Sequence, residues 1–205
     1  MKKLLIIGAV LLLCLGLAEA KTRNMYGVKG GVNIAKLQIS ETDGSVDTST
    51  SLGAVVGVLM QSRPLRNLII QPELLYSQKG SDIQDTDKLT ISYITMPVLL
   101  KAALRVDSLR IQPLAGPEVG YALSAKSAND VDYINDLNRV NIGINLGVEF
   151  VYSTNYMMGV RYFHGFTELD KSAAKRPAIS NNCWSVTAGY LFYYQCACIV
   201  CGKDI

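Results

Sequence analysis

The sequence predicts an all-β protein, an eight-stranded antiparallel up-and-down transmembrane β-barrel. Three observations lead there. The first is alternation, clearest in residues 140–152, VNIGINLGVEFVY. Side chains alternate across a strand. Val140, Ile142, Ile144, Leu146, Val148, Phe150 and Tyr152 therefore share one face, and Asn141, Gly143, Asn145, Gly147 and Glu149 the other. The second is a rhythm of connections, long and polar after odd-numbered strands and short after even ones; membrane barrels carry short turns at one end and longer loops at the other. The third is the charge on the polar faces, where Lys29, Lys101, Arg110 and Arg161 stand against Glu73, Glu118 and Glu149. A soluble core would bury these at large cost. A small barrel interior, just filled by side chains at about eight strands, holds them as a paired network.

The chain begins MKKLLIIGAVLLLCLGLAEA. A basic start, an apolar run too short to span comfortably and the Ala18-Glu19-Ala20 site read as a secretory signal peptide cut before Lys21. Cys14 follows Leu13, where a lipoprotein signal wants a small residue, so lipidation is rejected. The expected division is residues 1–20 signal peptide, 21–193 barrel and 194–205 a cysteine-containing tail. Losing Lys2, Lys3 and Glu19 lowers the net charge from +3 to +2, too small an excess for a nucleic-acid footprint. No long apolar helix candidate follows the leader, and only helices and closed barrels satisfy their backbone in lipid.

In order, the first strand is residues 26–37, with Tyr26, Val28, Val32 and Ile34 on one face and Lys29 and Asn33 on the other. Residues 38–50 are a polar loop rich in turn formers. The second strand, 52–61, alternates less cleanly because Val55 and Leu59 share a face with Gly53 and Gly57. Residues 63–67 turn the chain. The third strand, 68–77, sets Ile70, Leu74 and Tyr76 against Gln71, Glu73 and Ser77, and residues 79–88 read as a polar loop. The fourth strand, 89–104, points Tyr93, Thr95 and Lys101 away from Ile94, Met96, Val98 and Leu100; residues 105–108 turn tightly. The fifth, 109–123, opposes Ile111, Val119 and Tyr121 to Arg110, Gln112 and Glu118. After a loop at 124–138 comes the sixth strand, 140–152. A turn at 153–155 leads to the seventh, 156–166, with Arg161 opposite Met158, Val160 and Tyr162. A loop at 167–180 precedes the eighth strand, 182–193, where Trp184, Val186, Tyr190 and Phe192 oppose Ser185 and Thr187. Proline removes a ladder donor and is usually kept to edges and bulges. Pro72, Pro97, Pro113 and Pro117 therefore predict bulges or distorted registry.

With odd strands running outward and even strands returning, the apolar-face aromatics form two girdles. Tyr26, Tyr152, Tyr156 and Phe192 fall at the short-turn end, and Tyr76, Tyr121 and Trp184 at the long-loop end, as bilayer interfaces prefer. Tyr162 and Tyr190 fit less neatly. An even strand number leaves both termini on the periplasmic side of an outer membrane. The competing reading is a secreted lipocalin-like barrel with the apolar faces turned inward around a ligand. Loop rhythm and girdles favour the membrane.

Several stretches in order, GVKGGVN (27–33), QPELLYSQKG (71–80), ITMPVLLK (94–101), AGPEVGY (115–121), GVRYFHG (159–165) and AGYLF (188–192), resemble the PorT-like outer-membrane β-barrel proteins of Bacteroidota, often called porin family proteins. The resemblance covers residues 26–192 and implies an eight-stranded outer-membrane barrel; it implies little about activity. The chain departs from the pattern at its end. Such barrels usually close on an aromatic residue read by the barrel assembly machinery, and here Phe192 is followed by YYQCACIVCGKDI.

The charged inner set reads either as a conduit for protons or ions or as an ion-pair filling; the small interior favours filling. Cys196, Cys198 and Cys201 lack the fourth ligand or histidine that zinc usually takes, so a disulfide or plain tail is expected in an oxidising compartment. Cys183 begins the last strand at the opposite end from the tail, beyond bridging distance. His164, the sole histidine, has no nucleophile or carboxylate partner at useful spacing and reads as interfacial. The strand glycines read as packing and twist positions. No catalytic set, metal or cofactor is expected. Two function classes remain, a structural or surface-interaction protein acting through loops 38–50, 124–138 and 167–180, and a small transport or ligand-binding barrel. Expected partners are outer-membrane lipid and the assembly machinery, with no nucleic acid and no extracellular partner identified.

Overall fold

The computed structural model describes residues 24–39, 51–65, 67–83, 87–126, 139–167 and 179–193. They form nine strand segments: β1 Met25–Ile39, β2 Ser51–Leu65, β3 Leu68–Ile83, β4 Asp87–Ala102, β5 Leu104–Val106, β6 Leu109–Lys126, β7 Val140–Tyr152, β8 Tyr156–Gly165 and β9 Ile179–Tyr193. Every pairing is antiparallel, in the order β4-β3-β2-β1-β9-β8-β7-β6, and β4 also pairs β6. That last pairing closes the ring. The three-residue β5 continues β4 along β6 after a break at Ala103, so the wall has eight staves.

The two surfaces follow from the period of two. On β8 the pattern alternates exposed and buried from Tyr156 to Arg161. The apolar residues are the exposed ones: Leu52 is 72% accessible, Met158 62% and Val56 55%. The charged residues are the hidden ones, with Lys29 at 2% and Glu149 at 1%. An apolar skin around a polar interior is what lipid demands and water does not. The lipocalin-like alternative required the reverse and is overturned.

The aromatics stand in two belts on this skin. At the short-turn end Tyr26 pairs in register with Phe192, and Tyr152 with Tyr156. Tyr190, which fitted neither girdle neatly, joins this belt, its ring 5.4 Å from Tyr156 and 5.1 Å from Phe192. At the other end Trp184 packs against Tyr162 at 5.0 Å, while Tyr76 and Tyr121 both flank Ile94. From Trp184 to Phe192 the strand climbs about 27 Å along its axis. At a tilt of about 40° that is roughly 20 Å of height, close to the apolar band of an outer-membrane barrel.

Several expected boundaries move. Strand β2 runs to Leu65 and absorbs most of the turn expected at 63–67. Arg105 sits in β5, so the turn shrinks to Asp107 and Ser108. The loop expected at 79–88 is mostly a hairpin: β3 and β4 stay paired from Gln78–Ser92 to Ile83–Asp87. Hydrogen bonding between two polar segments needs no apolar face once they have left the bilayer, so composition alone mistakes such an extension for a loop. Strands β6 and β9 likewise reach into the loops expected at 124–138 and 167–180. Apart from Thr167, what remains of those loops and of 38–50 lies outside the described residues, as do the expected signal peptide and tail.

The four strand prolines do not shift the register. Pro113 and Pro117 sit in an unbroken β6–β7 ladder. Pairing lapses at Glu73–Leu74 opposite Met96–Pro97 and resumes in the same register. Each missing donor removes one bond without inserting a residue, so no bulge is needed. The register shifts fall instead between Ser62 and Leu65, around Pro64, and between Ser92 and Tyr93.

Candidate functional site

The inward positions of β1, β3, β4, β7 and β8 meet at mid-lumen. Lys29 (β1), Glu73 (β3), Lys101 (β4), Glu149 (β7) and Arg161 (β8) are all at most 5% accessible. Arg161 grips Glu73 with both terminal nitrogens, at 2.8 and 3.1 Å, and reaches Glu149 at 2.7 Å. Lys29 donates to Glu73 at 2.9 Å and to Glu149 at 3.3 Å. Lys101 donates to the other Glu149 oxygen and to the Gln71 carbonyl, the latter at 2.6 Å. Gln71 donates in turn to Glu73, and Gln61 donates to Gln71 at 2.7 Å. Every oxygen of both carboxylates therefore faces a cation. Buried charges are tolerable when paired and fully hydrogen-bonded in this way.

Two glycines make room for the cluster. A Cβ at Gly159 would lie 2.5 Å from Cγ of Glu149, and one at Gly189 would lie 3.1 Å from Cβ of Lys29. Long charged stems cross the lumen because neighbouring inward positions carry no side chain.

A second, smaller group lies toward the long-loop end. Lys79 pairs Glu118 at 3.2 Å, and Asn145 donates to the other Glu118 oxygen at 2.8 Å. The Lys79 ammonium sits 3.7 Å from the centroid of Phe163, a cation–π contact. Asn33 donates to Ser77 at 2.8 Å and accepts from Ser185 at 2.7 Å. Between these groups a cavity of about 20 Å³ touches Asn33, Lys79, Glu118, Asn145 and Arg161, room for one water.

The structure thus brings together five of the seven residues expected in the lumen network. Glu118 belongs to the second group. Arg110 also faces inward, at the short-turn mouth, where it lines a pocket with Arg63 and Arg105. Glu149 and Arg161, on the adjacent strands β7 and β8, are in direct contact. Sequence reasoning missed Gln61 and Lys79 as lumen residues. Lys79 was legible: it continues the inward series Gln71, Glu73, Leu75, Ser77 by one more step of two. Counting it as a loop residue hid it. His164 lies on the outer face, half-buried, bonded through Nδ1 to Asn182 Oδ1 at 2.8 Å and packed against Phe166. Cys183 points inward and is 1% accessible; Cys196, Cys198 and Cys201 lie outside the described residues.

A closed ring with a girdled apolar skin and charges tied together inside defines an integral membrane β-barrel. Residues 19–171 match the family of the outer membrane protein beta-barrel domain, and the chain belongs to that family. No curated protein matches it. Among solved structures it is similar to neisserial surface protein A, with a TM-score of 0.54 at 12% identity, covering 82% of this chain and 97% of that one. It is also similar to Ail, the attachment invasion locus protein of Yersinia pestis, with a TM-score of 0.47 at 11% identity over 83% and 99% of the two chains. Escherichia coli outer membrane protein W follows, at 0.45 and 12% over 84% and 100%. At these identities the likeness is one of fold.

Proposed function

We propose that this chain is a PorT-like barrel, exported by a cleaved signal peptide, that acts as a non-catalytic surface or structural protein of the outer membrane and passes no solute. Its termini lie on the periplasmic side and its longer connections face outward. The observation that carries the reading is the sealed lumen. Gln61, Gln71 and Gln112 are 0% accessible, and Lys101 and Glu149 are 1%. These residues come from β2, β3, β4, β6 and β7, so the seal crosses the barrel rather than lining one wall. A water-filled path would leave at least some of them wetted. Interaction is then left to what projects beyond the membrane, including the paired β3–β4 extension.

The test is reconstitution of the full mature chain into liposomes, with swelling measured in iso-osmotic sugars, alongside single-channel recording. The expected result is no flux above empty liposomes and no unitary conductance. Solute-dependent swelling or stable openings would overturn the proposal in favour of a porin-like barrel. Heat-modifiable gel mobility and outer-membrane fractionation verify in parallel that the protein tested is the folded barrel.

A further inference from the structure

The apolar skin is not even. Next to the short-turn belt, Val28, Val58 and Leu74 stand out from it, at 46%, 52% and 48% accessible. Met60, Pro72, Met96 and Val98 share their outward parity but are half-buried. These four floor a groove of about 490 Å³ that is lined from β1 to β4 and ends against Tyr26 and Phe192 of the belt. The volume is in the usual range of small-ligand sites, about 300–1,000 Å³.

The ladder explains the groove. Hydrogen bonds hold neighbouring strands about 4.8 Å apart. On β3 they lapse on both sides within residues 71–74: at Gln71–Pro72 opposite Met60–Gln61 of β2, and at Glu73–Leu74 opposite Met96–Pro97 of β4. Pro72 and Pro97 carry no N–H, so the gap strands no donor at those two positions. Gly27, Leu59, Glu73 and Pro97 face inward and yet line the groove, which therefore cuts down to the strand backbones. Glu73 is the one charged residue on the lining, and Arg161 and Lys29 hold both its carboxylate oxygens inside the lumen. The groove offers an apolar surface and no free charge.

We infer that this groove seats one acyl chain of a bilayer phospholipid from the leaflet at the short-turn end, and holds it longer than the rest of the skin holds its lipid. The groove starts at the belt that marks the interface and runs into the apolar band, so the chain enters with its headgroup at the level of Tyr26 and Phe192. The lining has no charged group to receive a headgroup, so the chain is what is recognised. Within a membrane there is no hydrophobic gain to collect, and packing decides. A groove touches a chain from beneath and from both flanks, where a smooth wall touches it from one side only, so the small dispersion terms multiply. Met60 and Met96 add unbranched side chains that adapt to the bends of a chain. A second barrel would meet the projecting Val28, Val58 and Leu74 first and leave the groove empty.

The test refolds the full mature chain into phosphatidylethanolamine–phosphatidylcholine vesicles doped with a phosphatidylcholine that carries a photoreactive diazirine on one acyl chain. After illumination, lipid adducts are mapped by peptide mass spectrometry. The expected result is about fivefold more adduct at Met60, Leu74 and Met96 than at Phe150 and Met158, which lie beside the same belt across the barrel; that ratio corresponds to about 1 kcal/mol of preference. Val98→Trp, which fills the groove from its floor, should bring the excess down to the level of Phe150 and Met158. Val160→Trp, the same change on the outward face of β8, should leave it unchanged. Heat-modifiable mobility verifies that both variants are folded. Even labelling around the barrel, an excess that survives Val98→Trp, or protein–protein adducts at the groove in place of lipid would each overturn the inference. Liposome swelling does not bear on it, so its failure is separable from that of the sealed-lumen proposal.

Discussion

Glu149→Gln is the sharpest probe of the lumen network. Wild-type Glu149 faces Lys29, Lys101 and Arg161. Glutamine keeps the shape and one acceptor oxygen but removes the charge. Three buried cations then share Glu73 alone, and the cluster moves from one net positive charge to two. Breaking a buried pair from one side costs about 3–5 kcal/mol, because the partner's desolvation is no longer offset. The double variant Glu149→Gln/Lys101→Met restores one net charge by removing a cation with the anion. It should recover about 2–3 kcal/mol of the loss, as contacting pairs in double-mutant cycles do. The assay is urea unfolding of the barrel in lipid vesicles, followed by tryptophan fluorescence from Trp184, the sole tryptophan, and by heat-modifiable mobility. A single-variant cost within about 0.5 kcal/mol of wild type, the range of ordinary surface changes, would refute the reasoning. So would a double variant that merely sums its two singles.

Met158→Arg, at the middle of the apolar skin, should cost about 2–4 kcal/mol when the barrel is folded in vesicles; an effect near zero would mean that this face meets water. Gly159→Ala should destabilise the barrel by about 1–3 kcal/mol, because its Cβ would press on Cγ of Glu149 at 2.5 Å. Pairing Gly159→Ala with Glu149→Ala should cancel much of that penalty, and purely additive costs in the same unfolding assay would count against the steric account. With Cys196, Cys198 and Cys201 changed to serine, Cys183 should resist a water-soluble thiol reagent in the folded barrel and react fully after boiling, since it is 1% accessible. Rapid labelling of the folded form would show that water reaches the lumen at that level.

Which side chain faces which way was legible residue by residue. The alternation in 140–152 needs only the strand's period of two, and β7 spans Val140–Tyr152 as expected. Tyr26, Tyr76, Tyr121, Tyr152, Tyr156, Trp184 and Phe192 were placed on the outer face by the same count, and all seven are exposed there. Boundaries were less legible where two signals conflict. Lys79 to Ile83 and Asp87 to Lys88 have loop composition, yet backbone pairing carries them on as strand. Pro64 marked a turn and instead sits beside a register shift.

The sequence by itself determined the class of protein: alternating faces, connection rhythm and girdle residues are local signals, each contained within one strand or one loop. Only the tertiary structure decided which charges meet. Lys29 and Glu149 are 120 residues apart, and Arg161 and Glu73 are 88 apart, on strands that are not neighbours in the wall. Their contact depends on the stagger of the strands and on the width of the closed ring. So does the gathering of Arg63, Arg105 and Arg110 around one pocket at the short-turn mouth. Period and composition say that a charge points inward; height and reach across the lumen, which no single strand encodes, say what it touches.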